Sequence, residues 1–371
     1  MLILWVLEMI KKNRTKKELP YTAIDLFCGG GGLTLGLKRA GFQVIAGVDN
    51  NSKCASTFQS NHKDVSLFIQ DVRDISGSDL MGLSPKGEVS LLSGCPPCQG
   101  FTTLTSKYKR EDPRNRLISE MLRIALEIMP TAIMMENVPG LAHKGKNAFE
   151  EMIDSLQNNG YEVNYDVLQV ADFGVPQFRR RLVLFAGKGF SIPMPKPTHS
   201  IDGIGAKRWK TVRDAISDMD SPYTLAEARS LGVFYRCNWH LIRNLSADNL
   251  KRIRSVKAGD PRTSIPKRFR PECHKDRSEG FQNVYGRMEW DKVSPTITGN
   301  CTTFSSGRFG HPEEDRTISV REAARLQTFP DNYTIDTEFM GDATAIIGNA
   351  LPCAFAQAMA KQCLKFIKQY S

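Results

Sequence analysis

Short apolar runs alternate with amphipathic helical stretches through the first half of this chain. Few arrangements tolerate that pattern, and it points to a mostly parallel sheet covered by helices. Residues 23–27 read as a buried strand that runs into Cys28-Gly29-Gly30-Gly31-Gly32. A helix is expected over 33–40, with Gly41 as its C-terminal cap. Further strands are expected at 44–48, 89–92, 132–135 and 182–186, with another apolar run at 65–69. Residues 117–129 carry a helical stripe of Leu117, Met121, Leu122, Ala125, Ile128 and Met129, and Pro130 lies just beyond.

The alternation stops near residue 187, where Pro193, Pro195 and Pro197 make an extended linker. Four segments follow from this: a tail at 1–20, a catalytic and cofactor-binding domain at 21–190, a smaller irregular domain at 191–335, and a helical segment at 336–371 returning to the first domain. Lys plus Arg minus Asp plus Glu is 50 − 40 = +10, and the excess is uneven. Residues 251–270 hold eight basic side chains against Asp260 alone, 8 − 1 = +7. Such concentration favours a polyanionic partner, nucleic acid ahead of a membrane surface because no amphipathic apolar face accompanies it. No apolar run approaches the roughly 20 residues that cross a bilayer, so no membrane span is expected. The apolar start precedes its basic run, the reverse of a secretory signal. Nine scattered cysteines, an odd number, fit free thiols in a reducing cytoplasm better than a disulfide framework.

Four groups of residues carry possible chemistry. The glycine turn lets backbone approach a ligand, and Asp49, 20 residues after Gly29, ends the second strand where a carboxylate can accept ribose hydroxyls. Asp71 follows the third apolar run. A pyrophosphate-cradling G-x-G-x-x-G would need glycine at Thr34, which disfavours a dinucleotide; flavin, NAD and S-adenosylmethionine are not otherwise separated. Cys95-Pro96-Pro97-Cys98 can be a redox pair, half a zinc site completed by Cys273-His274, or a single activated nucleophile. Glu136-Asn137 follows a strand, where burial can keep a carboxyl protonated for donation to a ring nitrogen. Arg179 and Arg181 alternate to one side, two cations able to hold a base or phosphate.

In this order the motifs resemble those of the cytosine-5 DNA methyltransferases, over nearly the whole chain. The matching residues are Asp25-Leu26-Phe27-Cys28-Gly29-Gly30-Gly31, Pro96-Pro97-Cys98-Gln99, Glu136-Asn137-Val138 and Gln177-x-Arg179-x-Arg181. The match continues through 321–330 and Gly348-Asn349-Ala350-Leu351-Pro352. The resemblance implies a Rossmann-like α/β sheet with helices on both faces, binding S-adenosylmethionine, plus an irregular target-recognition domain. It implies Cys98 as the nucleophile at cytosine carbon 6, Glu136 as donor to nitrogen 3, and Arg179 and Arg181 holding the base. The cofactor would lie against Phe27, Gly29, Gly30, Gly31, Asp49, Asn50, Asp71 and Val72, closed by Pro97, Leu117, Asn349 and Ala350. The family commonly has Glu at the position of Asp49.

The flipped cytosine of double-stranded DNA is the implied substrate. Lys107, Lys109, Arg110, Arg114, Lys251, Arg252, Arg254, Lys267, Arg268 and Arg270 are the expected phosphate contacts, and Thr296 resembles a family backbone contact. No metal site is expected. A monomeric, cytoplasmic, nucleoid-associated prokaryotic enzyme is implied, with a cognate restriction endonuclease as possible companion. The rival readings are a tRNA cytosine-5 methyltransferase on the same fold, a silent DNA-binding module and a thiol–disulfide oxidoreductase.

Overall fold

The computed structural model describes residues 21–97, 117–234, 238–275 and 282–370. Among them is a seven-stranded sheet built from β1 (Thr22–Leu26), β2 (Gln43–Val48), β3 (Ser66–Phe68), β4 (Leu91–Gly94), β5 (Ala132–Asn137), β6 (Tyr161–Gln169) and β7 (Arg180–Lys188). The order is β3-β2-β1-β4-β5-β7-β6. The first five strands are parallel, and β7 runs antiparallel to both β5 and β6. The order reverses between β1 and β4, so a crevice opens beyond their carboxyl ends, the usual ligand site of an open α/β sheet.

Both faces are covered, which explains the nearly continuous apolar strands. Successive residues alternate between the two cores. Ala23, Val183 and Phe185 join the cluster under α1 (Gly32–Ala40) and the C-terminal α8 (Cys353–Tyr370). Ile24, Leu182 and Leu184 join the opposite cluster under α3 (Leu117–Ile128) and α4 (Lys146–Asn158). Each large apolar side chain so buried contributes about 1.5–3 kcal/mol. Gly41 caps α1 with φ 110°, its N–H on the carbonyls of Leu37 and Lys38. The helix α2 (Ser52–Asn61) begins at Asn51, whose side chain accepts from the Lys53 N–H.

A third cluster runs from Val212 to Cys353. It joins Trp239, Leu241 and Met288 to Ala323 and Leu326 of α6 (Val320–Leu326) and to Ala343 and Ile347 of α7 (Met340–Asn349). One core therefore crosses residue 335. A small fourth cluster holds Ile253 of α5 (Ala247–Arg254) with Val256, Ile265 and Phe304. The 31 residues Met340–Tyr370 are apolar enough to cross a membrane by length and composition, contrary to the expectation from sequence. They form two helices broken at Leu351-Pro352, and their apolar faces are largely buried in the cores just described.

Candidate active site

The crevice at the switch point is a cleft of about 700 Å³, within the range of cofactor pockets. Its first wall is the glycine turn. Directly after β1 the backbone enters the left-handed region, with φ 61° at Phe27, 50° at Gly29 and 88° at Gly31. A left-handed phenylalanine is strained by roughly 1–2 kcal/mol, so its surroundings must hold it. They do so through Cys28 N–H to the Val48 carbonyl (3.0 Å), Gly31 N–H to the Cys28 carbonyl (2.9 Å) and Gly29 N–H to Asp49 Oδ2 (2.8 Å). Asp49 Oδ1 accepts from the Asn51 N–H at 2.8 Å. Burial pushes the Asp49 carboxyl up, and these two bonds act against that. Each of its oxygens has a second acceptor site left for a ligand hydroxyl.

Phe27, Gly29, Gly30, Asp49, Asn50, Asp71 and Val72 all line this cleft, as do Pro97, Leu117, Asn349 and Ala350. Asp71 is forked by Arg73, Nε to Oδ1 at 2.9 Å and Nη2 to Oδ2 at 2.7 Å, which holds its carboxyl well below the usual range. Gly31 does not line the cleft; it faces the opposite way. A Cβ there would lie 2.4 Å from His62 Nε2 and 2.6 Å from the Tyr333 hydroxyl. These two side chains buttress the turn from behind. The Tyr333 hydroxyl donates to the Gly30 carbonyl at 2.5 Å, and His62 Nε2 sits 3.1 Å from the Gly31 carbonyl and 3.0 Å from Tyr333. Burial pushes the His62 imidazole down to about 4, so the ring is neutral at physiological pH.

Asp25 lies under the same turn, fully buried, accepting from the Thr34 hydroxyl at 2.6 Å while its Oδ1 has no partner. Burial, despite the Thr34 bond, pushes its carboxyl up to about 7. The folded chain therefore holds one more proton than the unfolded chain between about pH 4 and 7, and stability falls as pH rises through that window. The full penalty, reached above pH 7, is at most about 4 kcal/mol. Asp25→Asn is expected to remove this slope. Melting midpoints of wild type and variant measured from pH 4.5 to 8.5 should diverge up to about pH 7 and then run parallel; parallel curves throughout would contradict the assignment.

The second wall is formed by β5 and β7. Parallel register pairs Gly94 with Met135, which sets Cys95 beside Glu136. Asn137 Nδ2 donates to the Pro96 carbonyl at 3.1 Å, fixing the Pro96-Pro97 corner against β5. Arg181 Nε lies 2.5 Å from Glu136 Oε1 as an ion pair, yet its N–H is not aimed there, and Oε1 has no hydrogen-bond partner. Arg179 is buried, its Nη1 3.4 Å from the Ile297 carbonyl and its Nε without a partner. Burial first, and then the Arg181 charge, push this guanidinium down to about 9. A buried donor without a partner, such as Arg179 Nε, is costly unless a ligand completes it. Glu136, Arg179, Arg181 and Thr296 all border the cleft. A flat heterocycle with a ring nitrogen beside a carbonyl would satisfy such a set.

Cys98 follows Pro97 immediately but lies outside the described residues, as do Lys107, Lys109, Arg110 and Arg114. Cys95 can be assessed: burial, then the charges of Glu136 and Asp25, push its thiol far above its ordinary range. It stays a neutral thiol, unsuited to redox exchange or attack. Among the described residues no group of three His, Cys, Asp or Glu could hold a metal. His274 Nδ1 instead lies 2.7 Å from the Arg262 guanidinium.

The basic segment divides by role. Arg252 binds the Phe269 carbonyl and Asn249, and Arg270 binds the carbonyls of Ile265 and Thr263, so these two brace the fourth cluster. Arg254 pairs with Asp315 and Lys251 with Asp248, both at the surface. Lys267 and Arg268 are exposed. Thr296 Oγ1 donates to the Phe178 carbonyl at 2.9 Å.

Several lining residues were not anticipated from sequence, including Cys54, Gln70, Thr298, Ile346 and Gly348. Gly348 is needed for close approach, since a Cβ there would lie 2.1 Å from the Thr298 carbonyl. It lets the 296–299 segment press onto α7, and its only sequence signal is its place in the Gly-Asn-Ala-Leu-Pro run.

The chain matches the family model described as C-5 cytosine-specific DNA methylase over residues 21–365. It is 40% identical to the Type II methylase M.HgiDII of Herpetosiphon aurantiacus, over 93% of this chain and 95% of that protein. It is 33% identical to the Type II methyltransferase M1.HphI of Haemophilus parahaemolyticus, over 98% of this chain and 92% of that one. A solved structure of a putative DNA modification methyltransferase encoded in a prophage of E. coli shares the fold with a TM-score of 0.69 at 22% identity, covering 94% of this chain and 99% of that one. Dnmt2 of S. pombe does so at 0.61 and 17%, covering 93% and 98%. With a match along almost its full length and a sheet of the same kind, this chain belongs to the C-5 cytosine-specific DNA methylase family and is a DNA (cytosine-5) methyltransferase.

Proposed function

We propose that this enzyme methylates carbon 5 of a cytosine flipped out of duplex DNA, through a transient bond to Cys98, as the modification partner of a Type II restriction system. The observation that supports this best is the shared cleft: the Asp49 and glycine-turn wall and the Glu136, Arg179 and Arg181 wall border one cavity, with Pro97 at its edge.

The donor set fits S-adenosylmethionine. Asp49 is free to accept ribose hydroxyls, Phe27, Val72 and Leu117 give an apolar surface for adenine, and Asn50 with Asp71 offers polar contacts at its edge. When bound, the cofactor supplies an electrophilic methyl group on a sulfonium.

Carbon 5 of cytosine is a poor nucleophile until aromaticity is broken. The Cys98 sulfur adds to carbon 6, and Glu136 gives a proton or strong hydrogen bond to nitrogen 3, making an electron-rich carbon 5. Arg179 and Arg181 hold the base carbonyl and keep Glu136 in place. After methylation, loss of the carbon 5 proton to water re-forms the double bond and releases Cys98 as thiolate.

Flipping the base costs a few kcal/mol, offset by contacts to the DNA backbone. Residues 191–335 carry the sequence reading, and Lys251, Arg254, Lys267 and Arg268 are the phosphate contacts we assign, with Thr296 at the target nucleotide. Lys267→Ala with Arg268→Ala is expected to weaken binding to every duplex and flatten the slope of log K against log salt by about 2. Arg252→Ala and Arg270→Ala are expected to lower the melting midpoint instead. Filter binding over a salt series and thermal melting separate the two pairs.

Labelled S-adenosylmethionine offered with genomic DNA or with tRNA tests the substrate, and bisulfite sequencing of DNA from an expressing host gives the site. Label in DNA at a fixed short sequence supports the reading. Label in tRNA alone overturns it.

A further inference from the structure

Two buried glutamines join parts of the cleft that come from distant stretches of chain. Gln177 stands two residues before Arg179, and Gln327 ends α6. Neither side chain is exposed to solvent. Gln327 Nε2 donates to the carbonyls of Ile347 (2.9 Å) and Ala350 (3.1 Å), at the end of α7 that borders the cofactor wall. Its Oε1 accepts from Gln177 Nε2 at 2.7 Å. Gln177 Oε1 in turn accepts from the Ile297 N–H at 3.0 Å.

The backbone groups at the two ends dictate both amide orientations, since carbonyls call for an NH₂ and an N–H calls for an oxygen. The relay can therefore be assembled in one polarity only. Ile297 is held from both sides, its N–H by Gln177 and its carbonyl by Arg179. The same stretch is tied to the arginine turn again, by Phe178 N–H to the Ser294 carbonyl and by Thr296 to the Phe178 carbonyl. At the far end, the Cys353 N–H binds the Gln327 carbonyl and the Ala354 N–H binds Thr328 Oγ1, so this corner also starts α8.

We propose that Gln177 and Gln327 are positioning residues that set the base-holding Arg179 and the cofactor-side Ala350 in one register, so that DNA on the 294–298 segment and cofactor in the cleft strengthen each other's binding. The proposal rests on the methyl-transfer reading. Buried amide networks in a low-dielectric interior hold geometry more tightly than isolated bonds do. Coupling between two ligands is reciprocal, so it can be read from either side.

The test is equilibrium binding of S-adenosylhomocysteine, with and without a duplex carrying the methylated sequence. In wild type the duplex should tighten it at least about fivefold. Gln177→Glu keeps the Ile297 bond but, when ionised, sets oxygen against Gln327 Oε1 and breaks the relay. Its coupling should fall to about one at pH 8. Gln327→Met should lose the coupling at every pH.

A purely structural role predicts lower melting midpoints with the wild-type affinity ratio unchanged, and that result overturns the proposal. So does a wild type without coupling, a measurement that needs no variant to fold. Failure of the methyl-transfer reading shows separately, as wild type that transfers no label.

Discussion

Cys98→Ser is expected to lower single-turnover methyl transfer on the mapped duplex by at least about 10³-fold, some 4 kcal/mol of barrier. A serine hydroxyl has almost no anion at neutral pH and is a far weaker nucleophile than a thiolate. Binding of the cofactor and of DNA should change little, because neither depends on the reacting sulfur. Cys95→Ser is the control within the same motif. Its thiol is held neutral by burial and by Glu136, so that variant should retain activity within a few-fold of wild type. Equal loss from both changes would point to a dithiol reaction instead.

Glu136→Gln is the second large effect, expected to reduce the chemical step by about 10²–10⁴-fold. The amide keeps the side chain's size and can still meet Arg181, but it cannot give up a proton to nitrogen 3. The loss should fall on kcat, with the equilibrium affinity for S-adenosylhomocysteine nearly unchanged, because Asp49 and the glycine turn, to which we assign that ligand, form the other wall of the cleft. Burst kinetics and calorimetry separate the two quantities. A parallel loss of affinity would mean that Glu136 shapes the cleft rather than the reaction.

Much of this site could be read from the sequence because its parts follow strand ends. Asp25 to Gly31 and Asp49 sit where buried strands stop, and apolar runs bounded by glycine or charge are conspicuous. The β5 register then makes Glu136 a neighbour of Cys95, as a strand next to the Pro-Cys loop should. Local pattern could not show which way a turn residue faces. Gly31 belongs to the glycine run, yet it packs on His62 and Tyr333, side chains that reach it from the residue capping α2 and from the segment after α6.

The edge strand β6 went unread for a different reason. Tyr161–Gln169 alternates apolar Tyr161, Val163, Tyr165 and Val167 with polar Glu162, Asn164 and Asp166, so it lacks the continuous apolar run that marks the doubly covered strands, and it pairs along its whole length with β7. Charge density alone also could not separate Arg252 and Arg270, which hold carbonyls inside the fourth cluster, from Lys267 and Arg268 at the surface. The links from Gln177 and Gln327 to Ile297 and Ala350 span separations that no local window samples.

The covalent step is open to direct capture. A duplex carrying 5-fluorocytosine at the methylated position lets the sulfur add and the methyl group arrive, but carbon 5 then holds fluorine where a proton must leave. Incubated with enzyme and S-adenosylmethionine, it should yield a denaturation-resistant protein–DNA species, and digestion with mass spectrometry should place the modified base on the peptide containing Cys98. A duplex that is methylated when unfluorinated yet traps nothing, or that traps on another residue, would contradict the account.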